Sequence, residues 1–389
     1  MMRLTQLLYE FCPDGVEYKT LGEIATDMYR GSGIKREQVT PTGTPCVRYG
    51  EIYTTYGIWF DKCVSHTDAS TISSPKYFEH GDILFVITGE SVEDIAKSTA
   101  YIGHEKCLVG GDIVVLKHEQ NPKYLSYALA TTSARKQKSS GKVKSKVVHS
   151  SVPAIKDIVI PIPPLPVQSE IVKILDNFTE LTAELTAELT ARKKQYEYYR
   201  DKLLTFDVLG GGASDCVWRT LGEVCVTISS GKAKTKENHG LYPVYGSTGI
   251  IARTNTAPYD KIKILVARVG ANAGYIHLAH GKYDVSDNTL MLDVKAEYNL
   301  KYIYYQLVNA NLHQYAKGGG QPLVTASQIK QVQIPIPPLP IQERIVAILG
   351  RFDTLCNDLT SGLPAEIAAR QKQYEYYRDK LLTFKELTP

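Results

Sequence analysis

The sequence predicts a mixed α/β (α+β) fold: two tandem globular domains joined by two long antiparallel coiled-coil helices, related by a pseudo-twofold internal repeat. Three observations carry this expectation. Landmark segments recur at near-constant offsets, short β-branched runs punctuated by Gly, Pro, Asn and Asp fill the stretches between them, and each copy closes on a heptad-spaced apolar run.

The repeat fixes the architecture. Thr20-Leu21-Gly22-Glu23 returns as Thr220-Leu221-Gly222-Glu223, an offset of 200. Lys123-Tyr124-Leu125-Ser126-Tyr127 resembles Lys301-Tyr302-Ile303-Tyr304-Tyr305 at an offset of 178, and Ile160-Pro161-Ile162-Pro163-Pro164-Leu165-Pro166 is identical to residues 334–340. Residues 194–206 match residues 372–384 at every position. The ends of the copies are nearly identical and their middles differ, so duplication followed by divergence is the simplest account.

Within the middles, Asp82 to Ile87 and Lys263 to Ala267 are β-branched runs bounded by turn residues, as strands of mixed domains are. The end of the first copy has helical periodicity. Ile171, Leu175, Phe178, Thr182, Leu185, Leu189, Arg192, Tyr196, Tyr199 and Leu203 alternate spacings of four and three, a coiled-coil seam. A helix from about Ser169 to Phe206 would be roughly 57 Å long and needs a partner to bury that seam. The second copy supplies one from Ile345 onward, with its heptad interrupted at Gly362 and Pro364. The Pro-rich segments precede both helices, where proline stops a strand and is tolerated in a first helical turn. The expected divisions are residues 1–155, 156–207, 208–330 and 331–389, domain and helical region in alternation.

The chain of 389 residues, 43% hydrophobic and 22% charged, is long enough for two or three packed domains. Seven scattered cysteines without a CxxC pair suit reduced thiols. Residues 1–18 lack a signal-peptide apolar core, and no stretch approaches a membrane helix, so the cytoplasm is the expected location. Net charge is only +4, and any nucleic-acid role must rest on local clusters.

Such clusters exist. Arg135, Lys136, Lys138, Lys142, Lys144 and Lys146 form a basic stretch that, with its serines and Gly141, is expected to be a mobile phosphate-contacting loop. Lys317 and Gln321 flank a glycine-rich counterpart before the second Pro-rich segment. Earlier in each domain stand Arg30, Lys35 and Arg36, then Arg48 and Tyr49, and correspondingly Lys232, Lys234 and Lys236, then Ser247 and Arg253. Arg and Ser are side chains that address base edges in a major groove.

Catalytic motifs are missing. The Asn-Pro pair continues as Asn121-Pro122-Lys123-Tyr124, unlike the Asn/Asp-Pro-Pro-aromatic element that holds a flipped adenine, and no GxxxxGK[ST] phosphate loop occurs. The nearest approach to a metal-dependent nuclease site is Asp260 with Asp293 and Lys295, and His277 with His280 has no further Cys or His nearby.

The repeated Thr-Leu-Gly-Glu openings, paired Ile-Pro-Ile-Pro-Pro-Leu-Pro segments, the tandem Thr182-Ala183-Glu184-Leu185 and Thr186-Ala187-Glu188-Leu189, and the shared Lys-Gln-Tyr-Glu-Tyr-Tyr-Arg-Asp-Lys-Leu-Leu helices resemble type I restriction-modification specificity subunits. The likeness runs along essentially the whole chain. It implies two target-recognition domains, each reading one half of a bipartite asymmetric double-stranded DNA site, and helices that set the gap and bind modification subunits. Restriction subunits would join that complex and supply cleavage. The resemblance implies no catalytic residue, metal, cofactor or membrane attachment in this chain, the methyl donor belonging to the modification subunit. One departure is asymmetry: Phe352 to Ala369 spans 17 positions and Phe178 to Ala191 spans 13. A metal-dependent nuclease and a non-DNA scaffold recruiting proteins through its Pro-rich segments are the alternative readings.

Overall fold

The computed structural model describes residues 2–140, 148–206, 216–234, 237–318 and 320–387. The chain divides into two compact units, Met1–Leu185 with Ile367–Pro389, and Thr186–Glu366. Each unit takes in one globular domain together with stretches of both helical regions. The division between the units runs through the helices.

The Thr-Leu-Gly-Glu landmark is a helix-starting device. Glu23 donates its amide to the Thr20 hydroxyl at 3.2 Å, and Thr20 donates its amide back to the Glu23 carboxylate at 2.7 Å. Thr220 and Glu223 repeat this reciprocal cap at 3.3 and 2.8 Å. The strand leading into each cap pairs antiparallel with the strand that carries the Pro-rich segment, Tyr18–Thr20 with Val159–Pro161 and Val217–Thr220 with Gln333–Ile336.

In the first unit a five-stranded sheet has the order Ala25–Arg30, Ile113–His118, Ile83–Val86, Ser98–Tyr101, Trp59–Phe60. Its pairs are antiparallel except the last, Ala100 beside Trp59. In the second unit Cys225–Ser230, Thr289–Val294, Lys263–Ala267 and Ile276–Ala279 form the corresponding antiparallel sheet without the fifth strand. Each domain adds a smaller mixed sheet, where Thr44–Val47 runs parallel to Cys107–Val109 and Tyr242–Gly246 runs parallel to Asp284–Val285.

The helical regions are built into the domain cores. In the first unit Ile171 and Leu175 share one apolar cluster with Ile83, Phe85, Leu125 and the C-terminal Leu381. In the second, Leu204, Ile345 and Leu349 join Ile264, Leu292 and Ile303. One buried glutamine latches each helix start to its domain. Gln168 accepts from the Asn121 amide at 3.0 Å and donates to the Pro163 carbonyl at 2.7 Å, while Gln342 accepts from Asn299 at 2.9 Å and donates to Pro337 at 2.8 Å. Asn121 itself caps the helix Pro122–Leu129 through the Tyr124 amide, which explains its Asn-Pro pair as a helix start.

The first long helix, Leu165–Leu204, is unbroken over 40 residues, about 60 Å at 1.5 Å per residue. It begins inside the Pro-rich segment, four residues before the expected Ser169. The second region breaks where the heptad does, into Leu339–Asn357 and Leu363–Leu381. Asp358 organises the break by accepting from the Thr360 amide at 2.7 Å and hydroxyl at 2.6 Å, with Ser361 joining. Within the units the seams carry aromatic contacts: Phe178 stacks on Tyr377 at 5.5 Å, and Tyr199 on Phe352 at 6.0 Å. No described helix is long and apolar enough to cross a membrane.

Candidate nucleic-acid interface

In the first domain the candidate residues gather around a backbone crossing. Past the edge strand Ala25–Arg30, Gly31 donates its amide to the Ile113 carbonyl at 2.9 Å and Ser32 donates to Val109 at 3.0 Å. A Cβ at Gly31 would fall inside 3.0 Å of the Gly110 carbonyl, so glycine is what lets the segments cross. Gly110 donates in turn to Val47 at 2.8 Å, which sets Arg48 and Tyr49 beside the crossing.

Arg30, Arg36, Arg48, Tyr49, Glu51 and Asp112 line a cleft of 710 Å³ at this point. Arg30 is committed to its neighbours, with Nη2 2.7 Å from the Asp112 carboxylate and Nε donating to the Gly111 carbonyl. Arg48 donates through Nε to Glu51 at 3.3 Å. Glu51, only 7% exposed, also accepts through its carboxylate from the Arg48 amide at 3.1 Å and the Ser65 hydroxyl at 2.7 Å. Arg36 is exposed, and the Tyr49 ring is 44% exposed. Lys35 is exposed at the start of the turn Arg36–Gln38. The sequence had placed these residues in two separate stretches; the fold brings Arg36, Arg48 and Tyr49 to one cleft.

The later basic cluster departs from expectation. Arg135, Lys136 and Lys138 belong to a helix, Thr132–Ser139, capped by Thr131 and by Asp379, which accepts the Thr132 hydroxyl proton at 2.5 Å. Helical spacing puts Ala134 and Lys138 on the inward face. Lys138 is therefore not the exposed loop residue expected: it is 8% exposed, its ammonium 3.1 Å from the Ser98 hydroxyl and 5.7 Å from the Phe85 ring centre. Burial, with Arg135 nearby, pulls its pKa down to about 7. It is a buried side chain that borders a cavity with Lys97, Ser98 and Arg135. Arg135 and Lys136 stay exposed, and Arg135 lines a 950 Å³ cavity with Lys372, Tyr376 and Lys380. Lys142, Lys144, Lys146 and Lys236 lie outside the described residues.

The second domain repeats the crossing at the offset of its capping box. Gly231 donates to Thr289 at 3.0 Å, Ala233 to Val285 at 2.9 Å, and Ser286 to Tyr245 at 2.9 Å. A Cβ at Gly231 would again fall inside 3.0 Å, here of the Val285 carbonyl. Tyr245 thus stands where Val47 does, and Ser247 where Tyr49 does. Ser247 occupies the tight turn between Tyr242–Gly246 and Gly249–Thr254. Lys232 and Lys234 are exposed just past the crossing. Arg253, exposed on the edge, donates through Nη1 to the Gly240 and Leu241 carbonyls at 3.3 and 3.2 Å. Lys317 and Gln321 are exposed on a loop closed by reciprocal bonds between Lys317 and Leu323 at 3.0 and 2.9 Å.

Glu51 and Asp112 are the functional candidates that sequence reasoning missed. Glu51 had a signal, its position three residues after Arg48 at a helix start, whereas Asp112 had none because its partner Arg30 is 82 positions away. Of the nuclease candidates, Asp293 pairs with Lys263 at 3.0 Å. Burial lowers the pKa of His277, which meets Tyr275 edge-on at 5.1 Å, and His280 is exposed. Among the described residues no group of three or more His, Cys, Asp or Glu side chains could hold a metal ion.

Comparison with known proteins agrees with the doubled architecture. The family profile described as the type I restriction modification DNA specificity domain matches residues 13–192 and again 214–369. The chain is 40% identical over 263 residues to the EcoR124I/EcoR124II type I restriction enzyme specificity subunit of Escherichia coli, covering 59% of this chain and 63% of that one. It is 36% identical over 209 residues to the EcoprrI specificity subunit of Escherichia coli, covering 50% and 51%. The matches thus span less than two thirds of the length of these curated relatives. In fold it is similar to the crystal structure of a type I restriction-modification S subunit from M. genitalium, with a TM-score of 0.60 at 18% identity over 95% of this chain and 96% of the other. With two profile matches, one on each copy of the repeat, the chain belongs to the type I restriction modification DNA specificity domain family.

Proposed function

We propose that this chain is the DNA-reading specificity subunit of a type I restriction-modification complex. Double-stranded DNA and modification subunits are its direct partners, and restriction subunits join through the complex. The chain acts in the cytoplasm and leaves methyl transfer and cleavage to those partners. The observation that carries this reading is the pair of equivalent backbone crossings at Gly31 and Gly231, each beneath a surface bearing exposed basic side chains. A doubled reader suits a site in two halves. Residues 1–155 and 208–330 serve as the target-recognition domains, and residues 156–207 and 331–389 as the helical regions that set the gap.

The contact surface in the first domain comprises Lys35, Arg36, Arg48 and Tyr49, with Arg135, Lys136, Lys142, Lys144 and Lys146 as a further basic set. In the second it comprises Lys232, Lys234, Lys236, Ser247, Arg253, Lys317 and Gln321. Among the described residues of these sets, Lys35, Arg36, Arg135, Lys136, Lys232, Lys234 and Lys317 are exposed, and exposed basic side chains suit phosphates, whose neutralisation makes affinity salt-dependent.

The helix supplies a direct test. One more Thr-Ala-Glu-Leu copy after Leu189 adds four residues, about 6 Å, against about 3.4 Å per base pair. Methylome sequencing of cells co-expressing the modification partner should find the gap widened by one to two base pairs with both half-sites intact. Changed half-sites with an unchanged gap would refute the spacer role, and the lack of any two-part methylated motif with the native chain would refute the reading itself.

A further inference from the structure

We infer that Arg48 is the guanine-reading side chain of the first domain, held in place by Glu51. This rests on the specificity-subunit reading and goes beyond it by naming the base and the atoms. A guanidinium recognises guanine by presenting two N–H groups side by side to O6 and N7 in the major groove. The terminal pair Nη1 and Nη2 can do this when Nε is occupied elsewhere and the side chain does not swing.

Arg48 meets both conditions. Its Nε is bound to Glu51 at 3.3 Å, its described hydrogen bonds use neither terminal nitrogen, and it lines the 710 Å³ cleft. The anchor is itself fixed, since Glu51 is 7% exposed and its carboxylate accepts from Ser65 at 2.7 Å and from the Arg48 amide at 3.1 Å. Holding the fork in advance removes the ordering cost that a free arginine would meet on binding.

The other arginines near the crossings lack this arrangement. Arg30 spends Nε and Nη2 on Gly111 and Asp112, and Arg253 spends Nη1 on two backbone carbonyls. The cleft offers acceptors as well as donors to a base edge. Arg30 and Arg48 are paired there with the carboxylates of Asp112 and Glu51, and a carboxylate can itself accept from a cytosine amino group.

The test uses the complex with its modification partner. Duplexes carrying the native motif are made with 7-deazaguanine, which lacks the N7 acceptor, at each guanine in turn. The native complex should lose about tenfold or more in affinity at one guanine of one half-site. Arg48→Lys, which keeps the charge and loses the fork, should accept other bases at that position, show no further loss with 7-deazaguanine there, and read the other half-site unchanged. Glu51→Gln should relax the same position to a smaller degree while other guanines keep their full effect, which general destabilisation would not produce. An Arg48→Lys complex that reads every guanine as the native one does overturns the assignment alone, as does a motif without guanine in either half-site. A native complex with no selective duplex binding overturns the specificity-subunit reading together with it.

Discussion

The two globular domains share their supports and differ in what the supports carry. Both have a Thr/Glu cap, a glycine at the crossing and a buried glutamine that latches the following helix to an asparagine cap. Beside the crossing the first domain has Arg48 clamped by Glu51, whereas the second has Ser247 in a tight turn. Residues that hold the chain in shape have survived duplication in both copies. Those that face the cleft have not, which is the pattern expected where two readers on one frame address different sequences.

The severest way to break the comparison is at the glycines. Gly31→Ala and Gly231→Ala each drive a Cβ into backbone, an atom that cannot rotate aside. Each should cost about 2–3 kcal/mol, read as a drop in melting temperature of roughly 2–4 °C per kcal/mol. The two losses should be alike, and a large loss at one position with none at the other would show that the crossings are not equivalent.

A smaller, pH-dependent effect separates the domains. At the offset of 178 that relates Tyr124 to Tyr302, Lys138 falls on Ala316, which packs against the second core. The first domain therefore carries a buried amine where the second has an alanine at the equivalent position. The Lys138 pKa in the folded state, about 7, lies below the ordinary 10.5. Between those values the unfolded chain binds the extra proton, so this group makes stability rise with pH across that window and withholds stability at pH 7 and below. Lys138→Met should melt several degrees higher at pH 7, with an advantage that shrinks toward pH 10.5. An advantage independent of pH, or none, would contradict the buried charge.

Much of the fold was legible because the periodicities are long and the landmarks occur twice. The seam from Ile171 to Leu203, the break near Gly362 and the strands at Ile83–Val86 and Lys263–Ala267 follow from spacing and turn residues. The fate of the basic stretch at Arg135 was not. Serines and lysines suggested a loop, but tertiary packing of Ala134 and capping by Asp379, 247 positions from Thr132, made a helix and drew Lys138 inward. The candidate site was half legible for a similar reason. Its arginines stand out by residue type and Glu51 lies three residues from Arg48, while Asp112 meets Arg30 only across 82 positions of sequence.

The smallest effect expected concerns phosphates, and it asks whether the domains share the electrostatic part of binding as they share the crossing. Arg36 and Lys234 are both exposed near their crossings. Neutralising a single phosphate contact lowers the slope of log affinity against log salt by about 1 and leaves base preference untouched. Arg36→Gln and Lys234→Gln in the assembled complex should therefore each weaken duplex binding at low salt, reduce that slope by about 1, and preserve the methylated motif. Their combined change should be additive, since one contact lies in each domain. A shifted motif in Arg36→Gln would move that residue from the phosphates to the base edge beside Arg48. An unchanged slope in Lys234→Gln alone would mean that the second domain takes its phosphate contacts from elsewhere on its surface, with Lys317 the next position to neutralise.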